Sequence, residues 1–114
     1  MTNLNKTLLL SALLVAFSGT AAAECTNPSA PIVPDGNVAS MDELVAAQKG
    51  LKAFQAELVD YRECLVEQKV ADTSEDQAAL QKNAALDAAY DSSVDAEGVA
   101  AEEFNAAVRM FKSR

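Results

Sequence analysis

The sequence contains no histidine and no tryptophan, and its four glycines are scattered at positions 19, 36, 50 and 98. Without histidine there is no Ser–His or Cys–His nucleophilic pair and no imidazole general base, and most zinc and copper sites lose their usual ligand. Isolated glycines make no phosphate-cradling loop. The missing indole weakens any sugar-stacking surface. These absences lead us to expect no enzyme: no catalytic residue, no cofactor and no metal site.

Basic residues are also scarce, nine Lys and Arg against seventeen Asp and Glu. Nucleic acid and anionic lipid are held mainly through Lys and Arg, so neither is expected as a partner. No stretch alternates β-branched and polar residues, which argues against a sheet. Proline is confined to positions 28, 31 and 34, and everything from Ser40 onward is rich in Ala, Leu, Glu, Gln and Lys, the strong helix formers.

What the first residues do contain is a leader. Lys6 precedes the apolar run Leu8–Phe17, followed by Ser18-Gly19-Thr20 and the small triplet Ala21-Ala22-Ala23. A basic start, a short apolar core and an Ala-x-Ala site form a signal peptide, expected to be cut before Glu24. The run is too short for a bilayer core that needs about 20 residues, so no stable membrane anchor is expected after cleavage. Glu24 immediately before Cys25 does not suit a lipidation site. The mature chain has 114 − 23 = 91 residues, one domain, and a charge of 8 − 17 = −9 once Lys6 is gone. A periplasmic or secreted location follows, and the leader suits a Gram-negative bacterium.

Both cysteines, Cys25 and Cys64, lie in that exported part, and an even count in an oxidising compartment predicts one disulfide. Pairing between two chains is the alternative. Closing so long a loop stabilises a small domain by about 3–4 kcal/mol in the chain-entropy model.

The mature chain divides near residue 40. Residues 24–39 form a proline-rich extended arm, and 40–114 carry two helices, about 41–70 and about 75–112. Ser40-Met41-Asp42-Glu43 has the form of a capping box. Leu44, Leu51, Leu58 and Leu65 then recur every seven residues, with Ala47, Phe54, Tyr61 and Gln68 as companions three later. That seam serves a core within one chain or a coiled coil between chains. For the second helix, Thr73 or Ser74 offers a cap, and an apolar stripe passes through Leu80, Leu86, Tyr90, Val94, Ala101, Phe104, Val108 and Phe111. Gly98 costs this helix about 1 kcal/mol relative to Ala and marks a place for a kink or break. Two long helices joined by a few residues pack antiparallel, so the predicted fold is all-α, a two-helix hairpin.

Cys25, Pro28, Pro31 and Pro34 share the period of three that places residues along one edge of a polyproline II segment. From Ser40 to Cys64 a helix rises about 36 Å, and the fifteen residues from Cys25 to Ser40 reach at most about 50 Å. The disulfide therefore lets the arm run back along the first helix, antiparallel to it. Ala46, Gly50 and Ala53 on that side are small enough for close approach, and Tyr61 and Phe54 flank it for stacking on the proline rings.

The pattern Cys25-x-x-Pro28-x-x-Pro31-x-x-Pro34-Asp35-Gly36, with Tyr61-x-x-Cys64 and the ending Phe104 through Arg114, resembles a group of small exported bacterial proteins. The resemblance implies an arm followed by a helical hairpin, and no activity.

Carboxylates remain as potential ligands. Asp87, Asp91 and Asp95 line one face of the second helix, and Glu63 and Glu67 one face of the first, either as a solvated surface or as a collector of divalent cations. Glu102 and Glu103 point in different directions and belong to the surface. Arg109, Lys112 and Arg114 sit in the last turn, where they complement the helix dipole and offer a docking end. Met41 and Met110 fill helix ends, too few for a copper surface. A Pro-x-x-Pro ligand role for the arm conflicts with its being fastened by the disulfide. The expectation is a small exported structural or protein-interaction module that binds a protein partner or itself. A holdase-type chaperone and an acidic divalent-cation module are the alternatives.

Overall fold

The computed structural model describes residues 25–70 and 75–114. The leader, and with it the cleavage site, lies outside the described residues, as do Thr73 and Ser74. The described chain is an arm followed by two helices, α1 (Met41–Glu67) and α2 (Gln77–Ser113), packed against each other as a hairpin.

Helix α1 begins where its cap dictates. The Ser40 hydroxyl accepts from the Glu43 amide at 3.1 Å, and the Glu43 carboxylate accepts from the Ser40 amide at 3.0 Å, so two otherwise orphaned donors are satisfied. It ends at Glu67, short of the predicted boundary near residue 70, because Val70 is engaged elsewhere. The Asn83 carboxamide of α2 accepts from the Val70 amide (2.9 Å) and donates to its carbonyl (2.7 Å). A backbone held at both its polar groups by a side chain no longer continues a helical ladder. Asp76, accepting from the Ala78 amide at 3.0 Å, caps α2. That helix runs unbroken through Gly98 to Ser113.

The leucine seam of α1 is the core. Leu44, Leu51, Leu58 and Leu65 are all buried, Leu58 completely, and Phe54 and Ala47 are buried beside them. Burying a leucine of this kind contributes about 1.5–3 kcal/mol. Leu51, Phe54 and Leu58 pack on Ala100 of α2, with Tyr61, Ala96 and Phe104 around them. The seam is thus consumed inside one chain.

On α2 the apolar stripe read from the sequence is only in part the contact face: Phe104 and Phe111 pack against the core, while other members of the stripe do not. The residues that α2 buries are Asn83, Ser93, Ala100 and Ala107. Val94 and Tyr90 stay 46% and 38% exposed, while Leu80, Leu86, Ala101, Phe104, Val108 and Phe111 are half-buried. Bulky leucines on α1 need small partners opposite them, so the line of closest approach selects alanine, serine and asparagine. Tyr90, Val94 and Val108 are displaced to one side of that line, while Phe104 and Phe111 reach the core.

The arm lies on the other side. A disulfide joins Cys25 to Cys64, with 5.6 Å between their Cα atoms. Pro31 then faces Gly50, and the arm closes at a third point where Val33 and Ala39 pack with Leu44 and Ala107. It therefore runs antiparallel to α1. The period of three is visible in its burial. Cys25, Pro28, Pro31 and Pro34 are half-buried, whereas Thr26, Asn27, Ser29, Ala30 and Ile32 are exposed. A turn follows in which Asp35 accepts from the amides of Asn37, Val38 and Ala39, through its side chain and carbonyl, and sets Ser40 in place.

Three expectations for the arm's bed need correction. Ala46 and Ala53 are exposed and lie beyond the strip that the arm covers. Phe54 belongs to the core, leaving Tyr61 as the ring that lines a shallow depression with Cys25 and Pro28. Nor does the arm demand glycine at position 50, since a Cβ there would meet Pro31 at an ordinary 3.4 Å. The obligatory glycine is Gly36, buried where the arm crosses α2. A Cβ on it would overlap the Ala107 carbonyl oxygen and stand 2.8 Å from Met110 Cβ.

These contacts set opposite signs for three glycine substitutions. Gly98 has open space around its Cα, so Gly98→Ala is expected to stabilise by about 1 kcal/mol and to raise Tm by about 4–8 °C. Gly50→Ala should stabilise in the same direction. Gly36→Ala should instead destabilise by about 1–3 kcal/mol, as overpacking does. Thermal denaturation followed by circular dichroism checks all three, and a Gly36→Ala protein as stable as the parent would refute the close crossing.

The arm is held at both ends by different means, and backbone NMR relaxation separates them. In Cys64→Ser, order parameters should fall over residues 26–30, while Val38 and Ala39, whose amides are hydrogen-bonded to Asp35, keep theirs. An equal fall throughout would mean that the disulfide alone docks the arm.

Candidate functional site: the uncovered flank of the hairpin

Two helices side by side present two flanks, and the arm occupies one. On the other, α1 contributes Met41, Val45, Val59 and Val66, each between 41% and 58% exposed, and α2 contributes Tyr90, Val94 and Val108. Val45, Val59 and Val66 fall on one seven-residue register of α1, one position after the buried leucines, so helical geometry places them along the edge of the seam. The stripe of α2 that misses the core thus has a location. Tyr90, Val94, Ala101 and Val108 recur at helical spacing on this side.

The flank holds two grooves. One, about 430 Å³, lies toward the interhelical turn and is lined by Val59, Arg62, Glu63, Val66, Glu67 and Tyr90. The other, about 320 Å³, lies toward the open end and includes Met41, Val45, Gln48, Val108, Phe111 and Lys112.

Arg62 is the built element of the first groove. Its Nε donates to the Ser93 hydroxyl at 2.8 Å, and one terminal nitrogen donates to the Ser93 carbonyl at 3.1 Å. The same nitrogen stands 3.6 Å from the Glu97 carboxylate, and the guanidinium lies over the Tyr90 ring, 5.9 Å from its centre. Ser93 is buried and completes its own bonding by donating to the Tyr90 carbonyl at 2.6 Å. The cation is therefore paired with a carboxylate, tied to Ser93 by two hydrogen bonds and held over a ring. It cross-links α1 to α2 and forms a rigid floor between half-exposed valines. Periodicity alone gives no sign of this, because Ser93 and Glu97 carry no apolar signal. A polar residue on the line joining Leu86 and Ala100 was the available clue.

The carboxylates are dispersed. Asp87 is paired with Lys69 at 2.8 Å, and among the described residues no three His, Cys, Asp or Glu side chains gather as a cation site. Glu63 and Glu67 line the turn-end groove. Glu102 is bridged to Arg109 at 2.7 Å. The expected basic cluster at the C-terminus is likewise divided: Arg109 turns to Glu102, Arg114 covers the Phe111 ring at 4.4 Å, and Lys112 borders the open-end groove. No helix among the described residues is long and apolar enough to cross a membrane.

Comparison with protein-family models, with curated proteins and with solved structures finds no match for this chain.

If Arg62 fixes the groove through Ser93, Ser93→Ala should cost about 1.5–3 kcal/mol, the range for hydrogen bonds to charged groups. Urea denaturation measures it, and the Tyr90 ring should gain mobility in NMR relaxation. A variant within error of the parent on both would show that the guanidinium is held by Glu97 and Tyr90 alone.

Proposed function

We propose that this protein is an exported, non-enzymatic interaction module whose uncovered hairpin flank docks a helix. The observation that carries this reading is the flank itself. Half-exposed valines and a tyrosine from both helices line two grooves on one side, while the arm closes the other. Between the grooves Lys52 interrupts the α1 edge, so the apolar surface is two patches rather than one strip, and exposed apolar patches of this kind mark interaction sites. A flank two helices wide with a central trough fits an apolar face presented at i, i+3, i+4 and i+7, the helix-in-groove mode of recognition.

The half-bare hairpin also explains why an arm and a disulfide are needed. Two helices alone bury too little surface for robust stability, and the bridge compensates on one side. A periplasmic or secreted location suits both the bridge and the leader pattern. The preorganised Arg62–Ser93–Glu97 floor favours specific docking over the adaptable, methionine-rich surface expected of a holdase.

Site-specific photo-crosslinking in the host tests this. A benzoylphenylalanine placed at Val66 should yield a discrete adduct, and one at Asp95, on the outer face of α2, should not. Absence of adducts from position 66, or equal yields from both positions, would remove the flank as a docking surface.

A further inference from the structure

Resting on the flank as a docking surface, the geometry points to its occupant: a second copy of this chain, packed face to face and antiparallel, so that two hairpins form a four-helix bundle. The argument comes from the polarity of the flank. Its turn end is anionic. Glu63 and Glu67 border that groove with no ion pair among the described residues, and its one cation, Arg62, is already matched by Glu97. Its open end is cationic. Lys112 is the charged residue lining that groove, and it too has no ion pair among the described residues. A parallel copy would oppose like charges at both ends. A copy rotated by a two-fold axis places Glu63 and Glu67 against the partner's Lys112 twice over.

The apolar groups follow the same symmetry. Pairing of Arg62 with Ser93 and Glu97, of Leu58 with Ala100, and of Leu44 with Ala107 defines which levels of α1 and α2 are side by side. On that scale Lys112 stands near the level of Val45, and Glu63 to Glu67 lie roughly twenty residues, or about 30 Å, further along α1. The midpoint falls near Gln55, opposite Ala101. A two-fold axis there lays Val66, Tyr90 and Val94 of one copy on Met41, Val45 and Val108 of the other. One groove of each copy thus receives the opposite end of its partner, the self-complementary arrangement of an isologous dimer. The flank from Val45 to Val66 spans about 32 Å and two helix widths, a footprint of the order of the 800 Å² or so that each side of a standard interface buries. Gln55 and Ala101 at the axis are uncharged; Lys52, exposed on the same register as Val45 and Val59, stands three residues, about 4.5 Å along α1, from that axis and is the charge brought near its own copy.

Light scattering of the purified protein, at concentrations well above micromolar, is the test. Expected is twice the chain mass, falling twofold in Glu63→Lys/Glu67→Lys and returning to twice the chain mass when Lys112→Glu is added. All three side chains border solvent, so helix content by circular dichroism should not change. A monomeric parent overturns the inference, as does a dimer indifferent to the double reversal or one that the third substitution fails to restore. The docking reading is judged separately. A monomer that still gives an adduct to a different protein from position 66 sinks self-association and keeps the docking flank. A monomer with no adduct sinks both.

Discussion

A pair of antiparallel helices shares one buried seam and leaves two flanks wet, and the rest of this structure is arranged around that deficit. The Cys25–Cys64 bridge anchors a short arm along one flank, where prolines at every third position and Val33 reach the helices and the other residues from Thr26 to Ile32 face solvent. Among the described residues nothing comparable lies on the other flank. The asymmetry does not come from the buried leucines, which run the length of α1, but from where the cysteine sits on that helix. Cys64 lies on one side of the leucine line, and Arg62 and Val66 lie on the other.

Within the seam, size is divided between the two helices. Helix α1 supplies leucines and phenylalanine, and α2 answers with Ala100, Ala107, Ser93 and Asn83. Close approach is obtained with little apolar bulk on α2, and its two buried polar residues are satisfied. Asn83 fastens the chain leaving α1, and Ser93 fastens Arg62. Both polar clamps sit toward the turn end. Toward the open end, the junction of Val33, Ala39, Leu44 and Ala107 is apolar. The hairpin is thus held by directional bonds at one end and by packing at the other.

Signals that are local in the chain were legible. The capping box at Ser40, the heptad leucines, the even cysteine count and the period of the prolines each act over a few residues or reflect one helix's own geometry. They led to the all-α hairpin, the bridge and the direction of the arm. The face of α2 was read only in part: Phe104 and Phe111 do reach the core. Its strongest apolar stripe, through Tyr90, Val94 and Val108, is real, but a stripe shows only that something covers it, not which surface does. The buried face is built from residues with weak or contrary signals, because the requirement there is small volume opposite leucine rather than hydrophobicity. The groove was illegible for the same reason. Arg62, Ser93 and Glu97 acquire meaning only when two helices are set side by side. Gly98 shows the limit of propensity, since a 37-residue helix anchored along its length absorbs one unfavourable residue without breaking.

The order of these parts along the chain has a kinetic meaning. Both cysteines and all of α1 precede Gln77, so the covalent link requires nothing from α2. Were the chain delivered N-terminus first into an oxidising space, as proposed, arm and α1 would form a bridged strip before the second helix emerged. Helix α2 would then zip onto a template already shortened and stiffened. Its far turns carry Ala107 beneath Gly36, so the close crossing at Gly36 waits for that part of α2. Assembly would therefore close like a latch, with the far end of α2 locking a segment laid down before α1.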